Sequence, residues 1–445
     1  RVRHGNMVID KSAAIRDIMN REEPIVAGLY PHRMGKSMFL GMLADFLGAV
    51  SDTPYSERRA RYEQYAVYQE DPEFFNSNIG RYVVFNLDMK YISEGDLFDI
   101  CDMIPTLMEV FYLLFDCKSV VIVDGYDAPF INTLLHPGDW EMTDGQLEDH
   151  KEFFSGILED NPHLHKGILA GVFDVRSSSL ESVLNSIPTF LAHTGYTDNM
   201  ANPFQRAFGF TVQDVWAVIN QYVDQLWPAR NSCTDVWRFK ARVFAGLLLQ
   251  SDGYRIGTVH RIFCPFSVMA FLEQLDRVTM ATELAFDNFR FWCETDHLDR
   301  DLAVDTSSVH DMARYLKHLA TEFDRQREFQ RTSSLATRLG RAKCLNDNMI
   351  ARIASQPSEQ NELGYSDDTE AELVRICTVD SSGLIDELLE GEDFSAATVV
   401  QVLYQAGYLA PVAQHRMGIP SKAIHDQVAD LSEQLLPDFV LGCSS

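Results

Sequence analysis

Residues 25–46 most constrain what this chain can fold into. The chain passes from an apolar run (IVAGL, 25–29) through a loop (PHRMGKS, 31–37) to a segment whose apolar residues recur at helical spacing. A strand, a tight loop ending in Gly-Lys-Ser and a helix are the context that a phosphate-binding P-loop requires. In such a loop the backbone N–H groups and the helix N-terminus face the phosphate oxygens. The sequence therefore predicts a phosphate site at this loop.

Two side chains of this loop have predicted roles toward a nucleoside triphosphate. Lys36 reaches the β- and γ-phosphate oxygens, and the Ser37 hydroxyl holds Mg²⁺. The full motif has a glycine five residues before Gly35, where this chain has Tyr30. The predicted nucleotide-contacting residues are Arg33, Met34, Gly35, Lys36, Ser37 and Met38.

A second pattern lies at residues 119–124 (SVVIVD), an apolar run that ends in an acid. A strand of a parallel sheet is buried on both faces, so its residues run apolar without alternation. Its carboxyl end opens into the ligand crevice, where an aspartate can hold Mg²⁺ directly or through water. We therefore predict Asp124 as the second metal-binding residue beside Ser37, the alternative being an acidic turn residue after a core strand.

The fold class follows from how strands and helices alternate. Further buried strands are predicted at 82–87 and 167–173, with a helix at 100–115, which indicates an α/β protein with a parallel sheet and flanking helices. A mainly helical pattern follows, beginning after Thr211 as the N-cap. The predicted domains are a P-loop domain at 1–212, a helical lid-like domain at 213–350 and a small helical C-terminal domain at 351–445.

Composition narrows the environment and the partners. The net charge of −27 argues against non-specific binding to nucleic acid or to an anionic membrane, and the basic stretch at 325–343 is interpreted as a solvated helix face. The eight cysteines form no CxxC pair, which favours a reducing, intracellular and cytoplasmic setting. No apolar run is long enough for a membrane span. The chain starts at Arg1, so a fragment or a processed leader both stay open.

Several segments, taken in order, resemble a family of predicted AAA-like ATPases. Members of that family have an N-terminal P-loop domain and often a C-terminal restriction-endonuclease-like nuclease domain. Residues 8–12 (VIDKS) are similar to its VDKT, 31–37 to its PRRFGKS, and 123–129 (VDGYDAP) to its IDEYDAP. The family's loop also lacks the first glycine. Further similar segments are 208–211 (FGFT), 252–257 (DGYRIG), 264–268 (CPFSV), 407–409 (GYL) and 418–422 (GIPSK).

The resemblance implies binding of ATP and Mg²⁺, but two positions depart from the family pattern. Gly125 replaces the acid that follows the Walker-B aspartate and that orients the attacking water in ATPases of this type. Asp174 stands where the family has an arginine that stabilises transition-state charge. We therefore expect impaired hydrolysis, unless Asp127 or Arg176 supplies the missing catalytic group.

Three hypotheses stay open from the sequence. The chain is an ATP-binding protein with impaired hydrolysis, a working ATPase that uses Asp127 or Arg176, or a degenerate scaffold that has kept the fold for protein contacts. Protein partners or a second copy of the chain fit all three hypotheses. A PD-(D/E)xK nuclease site needs two acids and a lysine, and the chain has no such set where that domain would begin.

Overall fold

The computed structural model describes residues 9–92, 94–128, 144–159, 161–176, 183–192, 194, 201–226, 236–277, 401, 404–413, 416–421 and 424–425. These residues form two compact units. The first contains the described residues of Asp10–Phe208, and the second contains Ile9 and the described residues from Gly209 onward. The basic stretch at 325–343 and most of the predicted C-terminal domain at 351–445 lie outside the described residues.

The first unit is an α/β structure. Its strands are β1 (Ile25–Leu29), β2 (Val83–Asp88), β3 (Ser119–Asp124), β4 (Leu164–Gly171) and β5 (Thr189–Leu191). Its described helices are α1 (Ala13–Met19), α2 (Lys36–Leu47), α3 (Tyr55–Tyr62), α4 (Ala66–Glu70), α5 (Pro72–Asn78), α6 (Glu94–Phe115) and α7 (Asp144–Leu158). A single 3₁₀ turn, Val183–Ser186, precedes β5. Among the described helices of the chain, none combines the length and the apolar character that crossing a membrane requires.

The five described strands of this unit are parallel and lie in the spatial order β2-β3-β4-β1-β5. Leu29 at the end of β1 lies beside Gly171 of β4, and Asp124 at the end of β3 lies beside Ala170. After β1 the chain crosses to β2, on one side of β1. After β4 it crosses to β5, on the other side of β1. The strand order therefore reverses between β1 and β4, which is where open α/β sheets form a ligand crevice outside the carboxyl ends.

Burial on both faces of the sheet explains the apolar strands. Val121 and Val123 of β3 belong to a core that also contains side chains of α6 and α7. Val120 and Ile122 alternate with them and face the other side, where α2 packs against β2 and β3. The predicted parallel α/β sheet is confirmed, with β1 and β3 at the predicted bounds and β2 and β4 shifted by a few residues. β5 is not among the predicted strands, because three residues carry no readable period.

An aromatic cluster holds the start of the loop that follows β1. The Tyr30 ring meets the Phe208 ring edge-on at 4.6 Å between centroids, and Phe39 of α2 meets the same ring at 5.7 Å. The Tyr30 hydroxyl donates a hydrogen bond of 3.0 Å to Asn202 Oδ1. Tyr30 is therefore a buried anchor of the loop, which gives this position a packing role in place of the glycine of the full motif.

The second unit mixes helices with two hairpins. Its described elements are α8 (Val212–Leu226), α9 (Val236–Ser251), β6 (Asp252–Ile256), β7 (Val259–Phe263), α10 (Pro265–Arg277), β8 (Ala410–Ala413) and β9 (Arg416–Gly418). The predicted N-cap is confirmed, because Thr211 Oγ1 accepts the Asp214 N–H at 3.3 Å while Asp214 Oδ2 accepts the Thr211 N–H at 2.8 Å. The antiparallel pairs β6–β7 and β8–β9 are not among the predicted elements, since periodicity does not identify such short strands.

Candidate functional site

The loop between β1 and α2 has the backbone conformation of an anion-binding turn. Arg33 and Gly35 are left-handed, with φ of 60° and 88°. Gly35 is the N-cap of α2 and has no side chain to accept the first N–H groups of the helix. A left-handed residue followed by helical residues turns successive N–H groups toward one side, forming a concavity that binds anions. Glycine adopts this conformation without steric cost, which explains its place directly before Lys36.

The predicted nucleotide-contacting residues differ in how they can meet a ligand. The Met34 side chain is in the core with 1% of the residue exposed, so only its backbone is available to a ligand. Ser37 and Met38, in the first turn of α2, are exposed, Met38 to 79%. Arg33 is also exposed. The loop therefore combines the buried side chain of Met34 with a first helical turn that is open to solvent.

Lys36 connects the end of the loop to its beginning. Its Nζ donates hydrogen bonds to the carbonyl oxygens of Tyr30, at 2.7 Å, and Pro31, at 2.8 Å. The positive charge of Lys36 also lowers the pKa of Asp127, although burial has the larger effect and raises that pKa. The ammonium group is thus bonded to the start of the loop and is within electrostatic reach of the turn that follows β3.

Several positive charges surround His32 at the carboxyl end of the sheet. Burial lowers the pKa of the half-buried imidazole most, and the charges of Lys36, Lys90 and Arg33 lower it further, to about 3. His32 is therefore neutral at physiological pH. Three cations acting on one side chain are notable in a chain with a net charge of −27, because they make this edge locally suited to an anion.

Asp124 lies where the sequence predicts it, at the carboxyl end of β3, with 7% of the residue exposed. β4 separates β3 from β1, so the ends of β1 and β3 are two strand spacings apart, about 10 Å. Ser37 and Asp124 thus sit on the same edge of the sheet and offer hydroxyl and carboxylate oxygens, the ligands that Mg²⁺ prefers. Within the described ranges, no group of three or more His, Cys, Asp or Glu side chains is placed to hold a metal. This donor set fits Mg²⁺, which commonly takes one or two protein ligands together with water and phosphate.

Gly125 forms a left-handed turn directly after Asp124, with φ of 64°. Its N–H donates to the carbonyl oxygen of Ala170 at 2.8 Å, which ties the turn to β4. A Cβ atom at this position would lie 3.5 Å from Cε of Lys90. An L-residue with a side chain would therefore fit the space but would be strained in its backbone.

Asp127 fixes the segment that follows β4. Its Oδ2 accepts the N–H groups of Val172 and Phe173 at 2.8 and 2.7 Å, and the residue is 2% exposed. Burial raises the pKa of Asp127, while these two hydrogen bonds lower it. From the sequence, this carboxylate is a candidate substitute for the missing water-orienting acid. Its hydrogen bonds are to backbone N–H groups of the segment after β4.

Arg176 pairs with the aspartate two residues before it. Its Nε donates to Asp174 Oδ1 at 2.9 Å, and its Nη2 donates to Asp174 Oδ2 at 2.6 Å. The Asp174 side chain is completely buried, and the Arg176 side chain is about one-quarter exposed. The guanidinium therefore compensates a buried carboxylate in the same segment that Asp127 holds.

Two residues of this site were not predicted from the sequence. They are His32, whose pKa is lowered by burial and by neighbouring cations, and Lys90, which is one of those cations. Lys90 follows β2 by two residues, and its N–H donates to Asp88 Oδ1 at 3.1 Å. The available signal was its position, because polar residues just after parallel strands gather at one edge of the sheet. No motif pointed to it, since a single lysine after a strand is common.

Comparison with known proteins adds no relative to this description. No family model matches the chain, and no curated protein matches it.

Proposed function

We propose that the first unit binds a nucleoside triphosphate, ATP, together with Mg²⁺, and hydrolyses it poorly. The observation that carries the proposal is the loop at 31–37, where left-handed Gly35 begins α2 and Lys36 spans the loop with its ammonium group. The loop lies at the carboxyl edge of a parallel sheet, beside the reversal of strand order. The choice of ATP rests on the family resemblance of the motifs.

Ser37 and Asp124 are the residues that would hold Mg²⁺. Bound there, the ion would offset the negative charge of the phosphates. Both side chains end in oxygen atoms, and both belong to the carboxyl edge of the sheet.

Poor hydrolysis is proposed because the groups that could activate water are committed elsewhere. Gly125 has no side chain, Asp127 accepts two backbone N–H groups, and Arg176 pairs with Asp174. Removal of a general base or a water-orienting residue typically costs about 10²–10⁴ in rate. The proposed activity is therefore retention of the nucleotide, with slow turnover.

Equilibrium titration with Mg·ATP tests the proposal on the full chain. We expect saturable binding that Lys36→Ala weakens by roughly 10- to 100-fold, because an ammonium–phosphate hydrogen bond contributes about 1.5–3 kcal/mol. Lys118→Ala is the matched control, since Lys118 is an exposed lysine just before β3, at the opposite edge of the sheet. Absence of saturable binding, or equal affinities for both variants, would contradict the proposal.

A further inference from the structure

Lys90 occupies the side of the site where an acid is missing. Its Cε and Cγ atoms lie 3.5 and 3.7 Å from the point where a Cβ of residue 125 would be. The lysine stem therefore covers the glycine, on the side to which a residue with a side chain would project. A side chain at position 125, where the ATPases that this chain resembles have an acid, would therefore contact the aliphatic part of Lys90.

The backbone around Lys90 directs it to this edge. β2 and β3 are parallel neighbours, with Asp88 in register with Asp124, so the residues that follow both strands emerge side by side. The carboxylate of Asp88 accepts the Lys90 N–H at 3.1 Å, which closes a short turn. Lys90 itself is exposed, so a ligand in the crevice can reach it.

The charge of Lys90 reaches the P-loop from the other side. Lys90 acts on His32, which lies in the loop after β1, while its stem lies over Gly125, which follows β3. These two positions flank the crevice. The ammonium of Lys90 is therefore within electrostatic reach of the volume between them, where the terminal phosphate of a bound triphosphate would lie.

We propose that Lys90 binds the terminal phosphate of the nucleotide and makes the site prefer a triphosphate to a diphosphate. This inference rests on the proposed function. In hydrolysing P-loop enzymes, an acid beside the terminal phosphate orients the attacking water. Here a cation stands beside that position, and a cation binds the phosphate without being able to accept a proton from water. Gly125 thus lacks a group needed for turnover, and Lys90 beside it supplies a group that favours retention of the triphosphate.

Lys36 and Lys90 have different tasks in this arrangement. Lys36 belongs to the P-loop and to the β- and γ-phosphates, so its loss affects the binding of a triphosphate and of a diphosphate. Lys90 approaches from β2 and Gly125 and contacts only the last phosphate. The ratio of the two affinities separates the lysines.

Calorimetric titration of the full chain with Mg·ATP and with Mg·ADP tests the assignment. Lys90→Met keeps an apolar stem over Gly125 and removes the charge, whereas Lys90→Arg keeps the charge. We expect Lys90→Met to weaken ATP binding by roughly tenfold, the value of one hydrogen bond to a charged group, and to change ADP binding less than about twofold. Lys90→Arg is expected to stay within about threefold of the unmodified chain for both nucleotides.

Lys36→Met and Lys118→Met complete the comparison, because the first should weaken both nucleotides and the second neither. Equal effects of Lys90→Met on ATP and ADP, or no effect on either, overturn the assignment to the terminal phosphate while ATP binding by the unmodified chain still supports the proposed function. An unmodified chain that binds neither nucleotide overturns both proposals. Far-ultraviolet circular dichroism of each variant verifies that the fold is kept.

Discussion

The loop after β1 and the turn after β3 lie at one edge of the same sheet, but their polar groups have different tasks. The loop presents the first N–H groups of α2, an exposed Ser37 and a lysine that spans it. The turn is tied inward, since Gly125 bonds to β4 and Asp127 holds the segment that follows β4. One region leaves polar groups open to solvent, and the other uses its polar groups to hold two strands together.

In the proposed function, nucleotide binding and turnover therefore depend on different regions of the site. Phosphate binding needs backbone N–H groups and a cation, which the loop supplies by itself. Turnover also needs a group that orients water, and this group must come from another strand. Packing contacts at the second strand can therefore remove turnover without disturbing the first strand.

The largest expected effect is on stability, at the turn. Asp127→Ala leaves the buried N–H groups of Val172 and Phe173 without their acceptor, and each such group costs about 1–3 kcal/mol. We expect the free energy of unfolding to fall by about 2–5 kcal/mol in urea denaturation. Asp127→Asn, which keeps one acceptor oxygen, should lose less than half of that amount.

The control for this change is Asp52→Ala, because Asp52 is exposed in the loop before α3 and should change stability by less than about 0.5 kcal/mol. One other combination of results would assign Asp127 a catalytic role. Normal stability of Asp127→Ala combined with a large fall in ATP turnover would show that its carboxylate acts on the substrate.

The second prediction concerns the positive loop and its dependence on pH. The pKa of His32 is about 3 in the folded protein, lowered by burial and by Lys36, Lys90 and Arg33, against 6.5 as its ordinary value. Between these values the unfolded chain binds more protons than the folded chain, so stability falls as the pH falls below 6.5. From pH 7 to pH 5 we expect His32 to account for a loss of about 1–2 kcal/mol.

Urea denaturation of the His32→Asn variant at both pH values measures this contribution. The variant should lose less stability between pH 7 and pH 5 than the unmodified chain. His163→Asn is the control, because His163 lies just before β4, at the opposite edge of the sheet. Identical pH dependence in the unmodified chain and in His32→Asn would show that the positive charge at the loop is weaker than the contacts imply.

The regular part of this fold was accessible from the sequence, and the tertiary contacts of its turns were not. β1 and β3 have the predicted bounds because a strand buried on both faces leaves an unbroken apolar run. The end of such a strand also predicts where Asp124 emerges. The partners of Asp127 and the position of Lys90 depend on which loops meet in space, and no local pattern encodes that. The hairpin β6–β7 escaped prediction for a related reason, since its pairing rather than its periodicity defines it.

The third prediction asks directly whether the missing acid limits turnover. Gly125→Glu and Gly125→Gln place side chains of nearly equal size on the same left-handed backbone, so both should cost about 1–2 kcal/mol in stability. Only the glutamate can orient or deprotonate water, and we expect it to hydrolyse ATP at least about tenfold faster than the glutamine variant, in a steady-state phosphate-release assay. Equal rates in the two variants would mean that the acid is not the limiting group. The unmodified chain would then have to use another residue for turnover, Asp127 or Arg176, and the contrast between an open loop and a closed turn would no longer account for its activity.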